Sequence, residues 1–411
     1  MHSNRRFDYA LKRKQLPYGM KAVDEIYNYK YTLQNAYKRL DESKISQHDR
    51  DIIRRFIDQL SSMGVSKGRL AKYLFHLKNF AEHLSTTIED AKHADIERFV
   101  SWLNSSGYAP HTVSDYILAV KRFYKFVRYG NVDKETPWPD EVRWMRKAIK
   151  PNERRQPEFF TSSEVETMIK TAYTLRDKAM LSVGFEAGLR ATELLLLDIG
   201  DVTFDDRGAR IRVQGKTGER IVRLISSVTL LSQHMQTHPL RADPSSPLWL
   251  TQSTNYRNYR VSWTMWNRRL KYIARQAGIT KRVFNHMLRH GSATRNAQFL
   301  TDSELKIMYG WAMGSKMPAV YVHLSGKDLD GKLSALYSGR TMEPPKPEFA
   351  PVLCPRCSER ASPGMLYCPR CASPLDPREQ SRMHLEDQTV REELKKLRGI
   401  VERVLGESEV S

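Results

Sequence analysis

The hydrophobic residues of this sequence recur at helical intervals along most of its length, and the interval changes clearly only between Val202 and Leu224. From residue 46 to about residue 150, four stretches carry apolar residues three or four positions apart, which predicts a bundle of helices. Between Val202 and Leu224, three short runs are separated by turns that contain Gly208 and Gly218, which predicts three antiparallel strands. The sequence therefore predicts a mainly α fold with a small β insert, in which a helical bundle precedes an α+β domain.

Two segments without hydrophobic periodicity divide the chain. Residues 151–157 contain two prolines, and residues 341–353 are also rich in proline. These breaks predict the following order: an N-terminal extension (1–45), a helical domain (46–150), a linker (151–157), an α+β domain (158–340), a Pro-rich linker (341–353), a four-cysteine module (354–376) and a C-terminal amphipathic helix (383–406).

The C-terminal helix carries a narrow apolar stripe. Its members follow steps of four and three residues, as in a short coiled coil: Val390, Leu394, Leu397, Val401 and Val404. We expect this stripe to pack on the rest of the chain, and association with a second copy is the alternative.

The four cysteines form two CxxC pairs with ten residues between them: Cys354, Cys357, Cys368 and Cys371. Two such knuckles are typical of one tetrahedral zinc site, because each supplies two thiolates from a tight turn. Iron in a rubredoxin-like site and two disulfides are the alternatives, and a reducing compartment disfavours the disulfides. The pattern predicts a structural zinc ion in a zinc-ribbon-like module.

The charge of the chain is concentrated in two blocks. Lys and Arg number 67 against 47 Asp and Glu, a formal net charge of +20. Residues 1–150 carry a net charge of +10, and residues 251–300 contain ten basic residues and no acidic one. Two separated basic blocks predict that the protein contacts a nucleic acid from two sides. The candidate contacts are Lys121, Arg122, Lys125, Arg128, Arg257 and Arg260.

The distribution of apolar residues also predicts where in the cell the protein is located. No run approaches the roughly 20 apolar residues of a membrane-spanning helix, and the first residues lack an apolar signal segment. We therefore expect a cytoplasmic protein with no contact to a membrane.

Several polar residues stand in an informative order in the α+β domain. Arg190 and Glu193 lie three positions apart in residues 188–194, and a lysine stands at the tip of the predicted hairpin. The complete set in chain order is Arg190, Glu193, Lys216, His286, Arg289, His290, Trp311 and Tyr321. Each of these features alone is common in structural roles, but their order and spacing together are not.

In this order the segments resemble the sequence boxes of the tyrosine recombinases, the integrase and Xer-type family of site-specific DNA strand-exchange enzymes, and most of all archaeal integrases. The resemblance covers about residues 46–340, because residues 108–113 and 123–126 resemble the last helix of the family's core-binding domain. It implies a core-binding domain at 46–150, a catalytic domain at 158–340, and double-stranded DNA as the partner.

The resemblance also implies how the phosphate is held without a catalytic cofactor. Arg190 and Arg289 would bind the non-bridging oxygens and stabilise the charge that develops on them. Trp311 would donate to the phosphate. Glu193 would orient the arginines or His286, and His290 would support the site through a hydrogen bond without acting directly.

The nucleophile implied by the resemblance is Tyr321, which would form a 3′-phosphotyrosyl bond and so conserve the phosphodiester energy without ATP. His286 would take its proton, and Lys216 would protonate the 5′-oxygen leaving group. The interval from the Trp to Tyr321 is one residue longer than usual in the family, so Tyr309 and Tyr337 remain alternative nucleophiles.

Two other functions fit part of this pattern. A DNA-relaxing topoisomerase of the type IB class uses similar chemistry, and a DNA-binding regulator could retain the site without activity. For the recombinase we expect a homotetramer on DNA and a monomer or weak dimer in solution. The sequence leaves open whether the tyrosine attacks in its own protomer or in a neighbour.

Overall fold

The structure is a computed structural model, and it describes residues 24–146, 158–215, 218–252, 258–324, 337–338, 348–376, 381 and 388–398. Within these ranges, residues 27–146 form one compact unit, and residues 24–26 together with those from 158 onward form the other. None of the helices in these ranges combines the length and apolar character needed to cross a membrane.

Between residues 24 and 146 the chain is helical, as its apolar period predicts. Its helices are α1 (Asp24–Tyr27), α2 (Tyr29–Asp41), α3 (Gln47–Ser62), α4 (Lys67–Ala81), α5 (His93–Ser105), α6 (Pro110–Tyr129) and α7 (Asp140–Arg143). Helix α6 begins with Pro110 in its first turn and ends at Gly130, which has a φ of 69°; both residues suit these positions.

The bundle packs around buried aromatic and aliphatic residues. Phe56 of α3 and Phe123 of α6 are fully buried, and their rings meet edge to face with centroids 5.2 Å apart. Leu40 of α2 is buried in the same core. Helix α2 therefore belongs to the bundle, which differs from the division predicted at residue 46.

The second unit is also mainly helical. Its helices are α8 (Ser162–Thr171), α9 (Leu175–Glu186), α10 (Ala191–Leu195), α11 (Val228–Gln236), α12 (Trp263–Gln276), α13 (His286–Asn296), α14 (Asp302–Tyr309) and α15 (Met317–Leu324). Helix α8 begins with a capping box, in which Thr161 and Glu164 each satisfy a backbone amide of the other.

The predicted three-stranded insert is confirmed. Strands β1 (Val202–Asp205), β2 (Gly208–Gly215) and β3 (Gly218–Leu224) form one antiparallel sheet in that order. Alternate residues of β2, namely Ala209, Ile211 and Val213, are buried against the helices. Gly215 pairs with Gly218, so Lys216 and Thr217 occupy the hairpin tip in the sequence and lie outside the described residues.

Beyond these elements lie the cysteine module and part of a last helix. Strands β4 (Val352–Leu353) and β5 (Arg360–Ala361) pair antiparallel, and residues 388–398 are helical. Val390, Leu394 and Leu397 are 51–60% exposed. The expectation that this stripe packs on its own chain is therefore wrong for its described part, and Val401 and Val404 lie outside that part.

Candidate active site

Arg190 immediately precedes helix α10 and is held there by Glu193. The amide of Arg190 donates to Glu193 Oε2 (2.9 Å), and its Nη1 donates to Glu193 Oε1 (2.6 Å). Its Nη2 donates to the carbonyl of Gly310 (3.1 Å). The side chain is nevertheless 28% exposed, so it remains accessible to an anion.

The turn before Arg190 requires glycine. Gly188 has a φ of 58°, a conformation that is unfavourable for residues with a side chain. A Cβ atom at this position would lie 2.2 Å from Cε1 of Tyr309 and 2.8 Å from Oγ of Ser292. The glycine thus lets the turn that presents Arg190 pack directly on Tyr309.

Arg289 lies on helix α13 and is only 4% exposed. Its Nη1 donates to the carbonyl of Gly188 (2.9 Å) and its Nη2 to the carbonyl of Tyr309 (2.6 Å). Burial, together with the charge of Arg190, lowers the pKa of Arg289 to about 10. The guanidinium therefore stays charged at neutral pH, beside that of Arg190.

A third arginine, Arg220 of β3, reaches the same carboxylate and was not predicted from the sequence. Its Nη1 and Nη2 donate to Glu193 Oε1 (3.1 Å) and Oε2 (2.9 Å). Burial alone would raise the pKa of Glu193, but the hydrogen bonds and charges of Arg220, Arg190 and Arg289 hold it below its usual value. Arg220 shares a strand face with the buried Val222 and Leu224, and this two-residue alternation was the signal that could have identified it.

The predicted nucleophile Tyr321 lies on helix α15, close to His290. Its hydroxyl and His290 Nδ1 are 2.6 Å apart, and its ring stacks parallel to that of Trp311 with centroids 5.5 Å apart. Tyr321 is 1% exposed. Burial raises the pKa of Tyr321 to about 12, and burial with the neighbouring charges of His286 and Arg289 lowers the pKa of His290 to about 4. At neutral pH both groups are therefore neutral, and they share one hydrogen bond.

The two alternative nucleophiles are placed differently. Tyr309 is fully buried, and its hydroxyl contacts Ser292 Oγ (2.8 Å) and accepts from Asn296 Nδ2 (2.9 Å). Tyr337, by contrast, has a side chain that is 86% exposed. Of the three tyrosines, only Tyr321 contacts a histidine of the predicted set.

His286 begins helix α13 and is exposed to solvent. Its ring centroid is 6.1 Å from that of His290. Desolvation by the surrounding protein and the charges of Arg289 and Arg190 lower the pKa of His286. The structure places His290, and not His286, at the hydroxyl of Tyr321; that His286 takes the proton stays a prediction.

The basic residues predicted on α6 are turned toward their own unit. Lys125 is 4% exposed and donates to the carbonyl of Asp133 (2.8 Å), so its prediction as a DNA contact is wrong. The other three are partly exposed, with bonds from Lys121 to the carbonyl of Met145, from Arg122 to the hydroxyl of Tyr73, and from Arg128 to Glu141.

The basic segment before α12 gives a similar correction. The side chain of Arg260 is 8% exposed and binds Asp198 (2.7 Å) and the carbonyl of Leu195 (3.1 Å), so it is a structural residue and not a DNA contact. Arg257 lies outside the described residues. Exposed basic residues instead follow one face of α12 at helical spacing: Arg268, Lys271 and Arg275. Their three- and four-residue steps in the acid-free window were the signal that could have identified them.

The four cysteines come together as predicted. Their sulfur atoms all lie within 4.8 Å of one another. Each knuckle repeats the same turn, in which the residue after its second cysteine, Ser358 or Ala372, donates its amide to the carbonyl of the first and has a φ near 57°. Four thiolates at this spacing are a donor set that suits a tetrahedral metal ion.

The cysteine module packs on the helices of the second unit. Just before the module, Phe349 is 3% exposed and meets Phe185 of α9 edge to face (4.9 Å), beside Arg295 of α13. A Cβ atom at Gly364 would lie 2.8 Å from a carbonyl oxygen of α8. An ion pair joins Lys170 of α8 to Asp376 (2.7 Å). The module is thus built onto the same unit that carries Arg289 and His290.

Two family profiles match this chain. The Phage integrase family profile matches residues 158–327, and the profile of the Phage integrase N-terminal SAM-like domain matches residues 53–129. Tyrosine recombinase XerA of Pyrococcus horikoshii is 32% identical over 245 residues, which are 59% of this chain and 79% of that protein. Tyrosine recombinase XerD of Vibrio cholerae is 24% identical over 298 residues, 68% of this chain and 94% of that protein.

Two solved structures share the fold. A XerH site-specific recombinase bound to palindromic difH substrate, in a post-cleavage complex, aligns with a TM-score of 0.54 at 15% identity and covers 76% of this chain and 97% of that one. A lambda integrase tetramer bound to a Holliday junction aligns with a TM-score of 0.51 at 14% identity and covers 65% and 78%.

Proposed function

This chain belongs to the phage integrase family of tyrosine recombinases, and we propose that it cleaves and rejoins double-stranded DNA at specific sites through a covalent 3′-phosphotyrosyl intermediate. The observation that carries this proposal is the convergence of Arg190 and Arg289 on one carboxylate, in the unit where Tyr321 contacts His290. Arginines and a tyrosine in this arrangement suit phosphoryl transfer without a catalytic metal.

Arg190 and Arg289 would bind the non-bridging oxygens of the scissile phosphate. Both guanidiniums are held by backbone carbonyls and by Glu193, so they are oriented before DNA arrives. Preorganised cations of this kind stabilise the extra negative charge of the transition state because they need not reorient during the reaction.

Tyr321 would attack the phosphorus, and His290 would accept its proton. The 5′-oxygen then leaves with a proton, for which we propose Lys216 as the donor. The phosphotyrosyl bond retains the energy of the broken phosphodiester, so rejoining needs no ATP. Because Tyr321 is buried beside its own His290, we also propose that each protomer attacks with its own tyrosine.

The cysteine module would hold one structural zinc ion through Cys354, Cys357, Cys368 and Cys371. When bound, zinc would fix the two knuckles to each other and supply folding energy to the module. Metal analysis of the purified protein distinguishes this proposal from an iron site, since the two metals are measured separately.

We propose that the exposed face of α12 lies on DNA, because it carries Arg268, Lys271 and Arg275 with Tyr272 between them. Recombination joins two duplexes at four strands, so four protomers would assemble on DNA from a monomer or weak dimer in solution. Light scattering of the free protein and of its complex with two-site DNA tests this assembly.

Covalent trapping on nicked suicide duplexes from a randomised library tests the proposed function. The nick releases a short fragment after cleavage, so the phosphotyrosyl complex accumulates. We expect wild type and the exposed control Tyr337→Phe to form the complex without divalent metal, and Tyr321→Phe to form none. A complex with Tyr321→Phe would reject Tyr321 as the nucleophile.

The trapped sequence then distinguishes recombination from its two alternatives. If two duplexes carrying this sequence yield joined products, the protein is a recombinase. If it relaxes supercoils on DNA that lacks the sequence, it acts as a topoisomerase of the type IB class. Tight binding without any trapped complex would leave a DNA-binding regulator.

A further inference from the structure

All three guanidinium nitrogens of Arg220 donate to groups inside the protein. Two nitrogens bind the two oxygens of Glu193, and Nε donates to the carbonyl of Met308 (2.9 Å). The side chain is 10% exposed. A paired, planar contact of this kind fixes both the position and the tilt of the carboxylate.

The end of helix α14 binds three arginines in succession. The carbonyls of Met308, Tyr309 and Gly310 accept from Arg220, Arg289 and Arg190, respectively. Carbonyl groups at a helix C-terminus carry partial negative charge and attract cations. The three arginines are therefore held on one side by Glu193 and on the other by this helix end.

Glycines leave room for this network on both sides. A Cβ atom at Gly215 would lie 2.7 Å from Glu193 Oε1, and one at Gly310 would lie 3.0 Å from Nη1 of Arg220. A side chain at Gly215 would displace the Glu193 carboxylate, and one at Gly310 would displace Arg220. The backbone at these two glycines is therefore packed closely against the carboxylate and the third arginine.

The charges explain what the third arginine contributes. Glu193 faces Arg190 at 2.6 Å and Arg289 at 3.7 Å, so without another cation its negative charge would be balanced only by these two. Arg220 occupies both carboxylate oxygens from the side of the sheet. The N–H groups of Arg190 and Arg289 that bind neither Glu193 nor the carbonyls of Gly188, Tyr309 and Gly310 are then left for a phosphate.

We propose that Arg220 is a positioning residue of the strand-cleavage reaction, which holds Glu193 so that Arg190 and Arg289 face the scissile phosphate. The proposal rests on the proposed function. It also ties strand β3, and with it the hairpin that contains Lys216, to the two phosphate-binding arginines.

The test compares two substrates that differ in phosphate charge. Arg220→Met and Arg220→Lys are assayed on the trapped duplex with either a phosphodiester or an uncharged methylphosphonate at the scissile position. We expect Arg220→Met to slow phosphodiester cleavage by on the order of 10²-fold and methylphosphonate cleavage by less than about fivefold, because the arginines then have less charge to stabilise. Arg220→Lys, which keeps the charge and loses the paired contact, should lie between wild type and Arg220→Met.

The control is Arg223→Met on the same strand, whose side chain is 35% exposed and pairs with Asp205; we expect wild-type rates on both substrates. Equal losses on the two substrates, or no loss at all, would overturn the positioning role. If Arg220→Met does not fold, the comparison is decided by Arg220→Lys. Failure of wild type on both substrates is a different result, because it rejects the recombinase itself.

Discussion

At the scale of single residues, Tyr321 and His290 share one hydrogen bond in surroundings that favour the neutral form of both. The pKa of Tyr321 is raised to about 12 and that of His290 is lowered to about 4, in each case mainly by burial. In this structure the tyrosine therefore keeps its proton at neutral pH.

Replacement of His290 by Ala tests this contact. We expect the variant to form the covalent complex on the order of 10²-fold more slowly, because the hydroxyl loses its proton acceptor. Rapid-quench measurement of trapping gives the rate. His83→Ala, an exposed histidine of the other unit, is the control and should react as wild type does. An unchanged rate for His290→Ala would assign proton transfer to another group.

A second histidine, His76 of α4, is buried without a described partner for either ring nitrogen. Burial and the charge of Lys72 lower its pKa to about 4, although Asp115 opposes this. Because the folded-state pKa is below the unfolded value, its contribution to stability is complete above about pH 6.5 and is lost as pH falls toward 4.

His76→Phe removes this pH dependence while keeping the ring against Tyr116, 3.9 Å away. We expect the free energy of unfolding of the variant to rise relative to that of wild type between pH 7 and pH 4.5, by at most about 1.4 kcal/mol for each pH unit. Thermal denaturation of the full chain over this range measures the difference. A difference independent of pH would contradict the assigned pKa.

At the scale of elements, the site depends on how the turn at Gly188 meets the end of α14. Gly188→Ala adds a clash with Tyr309 to the cost of a positive φ, whereas Gly278 has a φ of 75° and no atom within 4 Å of a built Cβ. We expect Gly278→Ala to cost about 1 kcal/mol and Gly188→Ala on the order of 3 kcal/mol of unfolding free energy. Denaturant unfolding of the two variants measures both, and equal losses would show that the packing at Gly188 relaxes freely.

At the scale of the whole molecule, we expect a metal ion in the cysteine module to stabilise the unit on which the module packs. We expect metal removal by a chelator, or Cys368→Ser, to lower the unfolding midpoint of that unit by about 4–8 °C, since roughly 2 kcal/mol of packing through Phe349 and Gly364 is loosened. Calorimetry measures the shift. The chelator should not lower the unfolding midpoint of Cys368→Ser any further. A wild-type midpoint that is the same with and without chelator would contradict the prediction.

The basic surface of α12 belongs to the same scale. We expect Lys271→Ala to weaken binding to all duplexes similarly and to reduce the slope of log affinity against log salt by about 1. Arg260→Ala is the control. Loss of this buried side chain should lower the free energy of unfolding and leave the salt slope unchanged. Fluorescence anisotropy at several salt concentrations gives the slopes. If only Arg260→Ala changed the slope, Arg260 and not Lys271 would be the DNA contact.

The sequence by itself determined the elements and the chemistry. Apolar periods define the helices, alternation defines the strands β1–β3, and the CxxC spacing defines the cysteine cluster, because each signal is local and follows directly from backbone geometry. The spacing from Arg190 to Tyr321 identified the family for the same reason, since the order of polar residues along the chain survives folding.

Only the tertiary structure decided how side chains are oriented and paired. Lys125 and Arg260 have the composition of DNA contacts, yet folding turns them inward onto carbonyls and a carboxylate. Arg220 and His290 reach Glu193 and Tyr321 across 27 and 31 positions of sequence. Such contacts depend on which elements meet in the fold, and no local pattern names the distant partner.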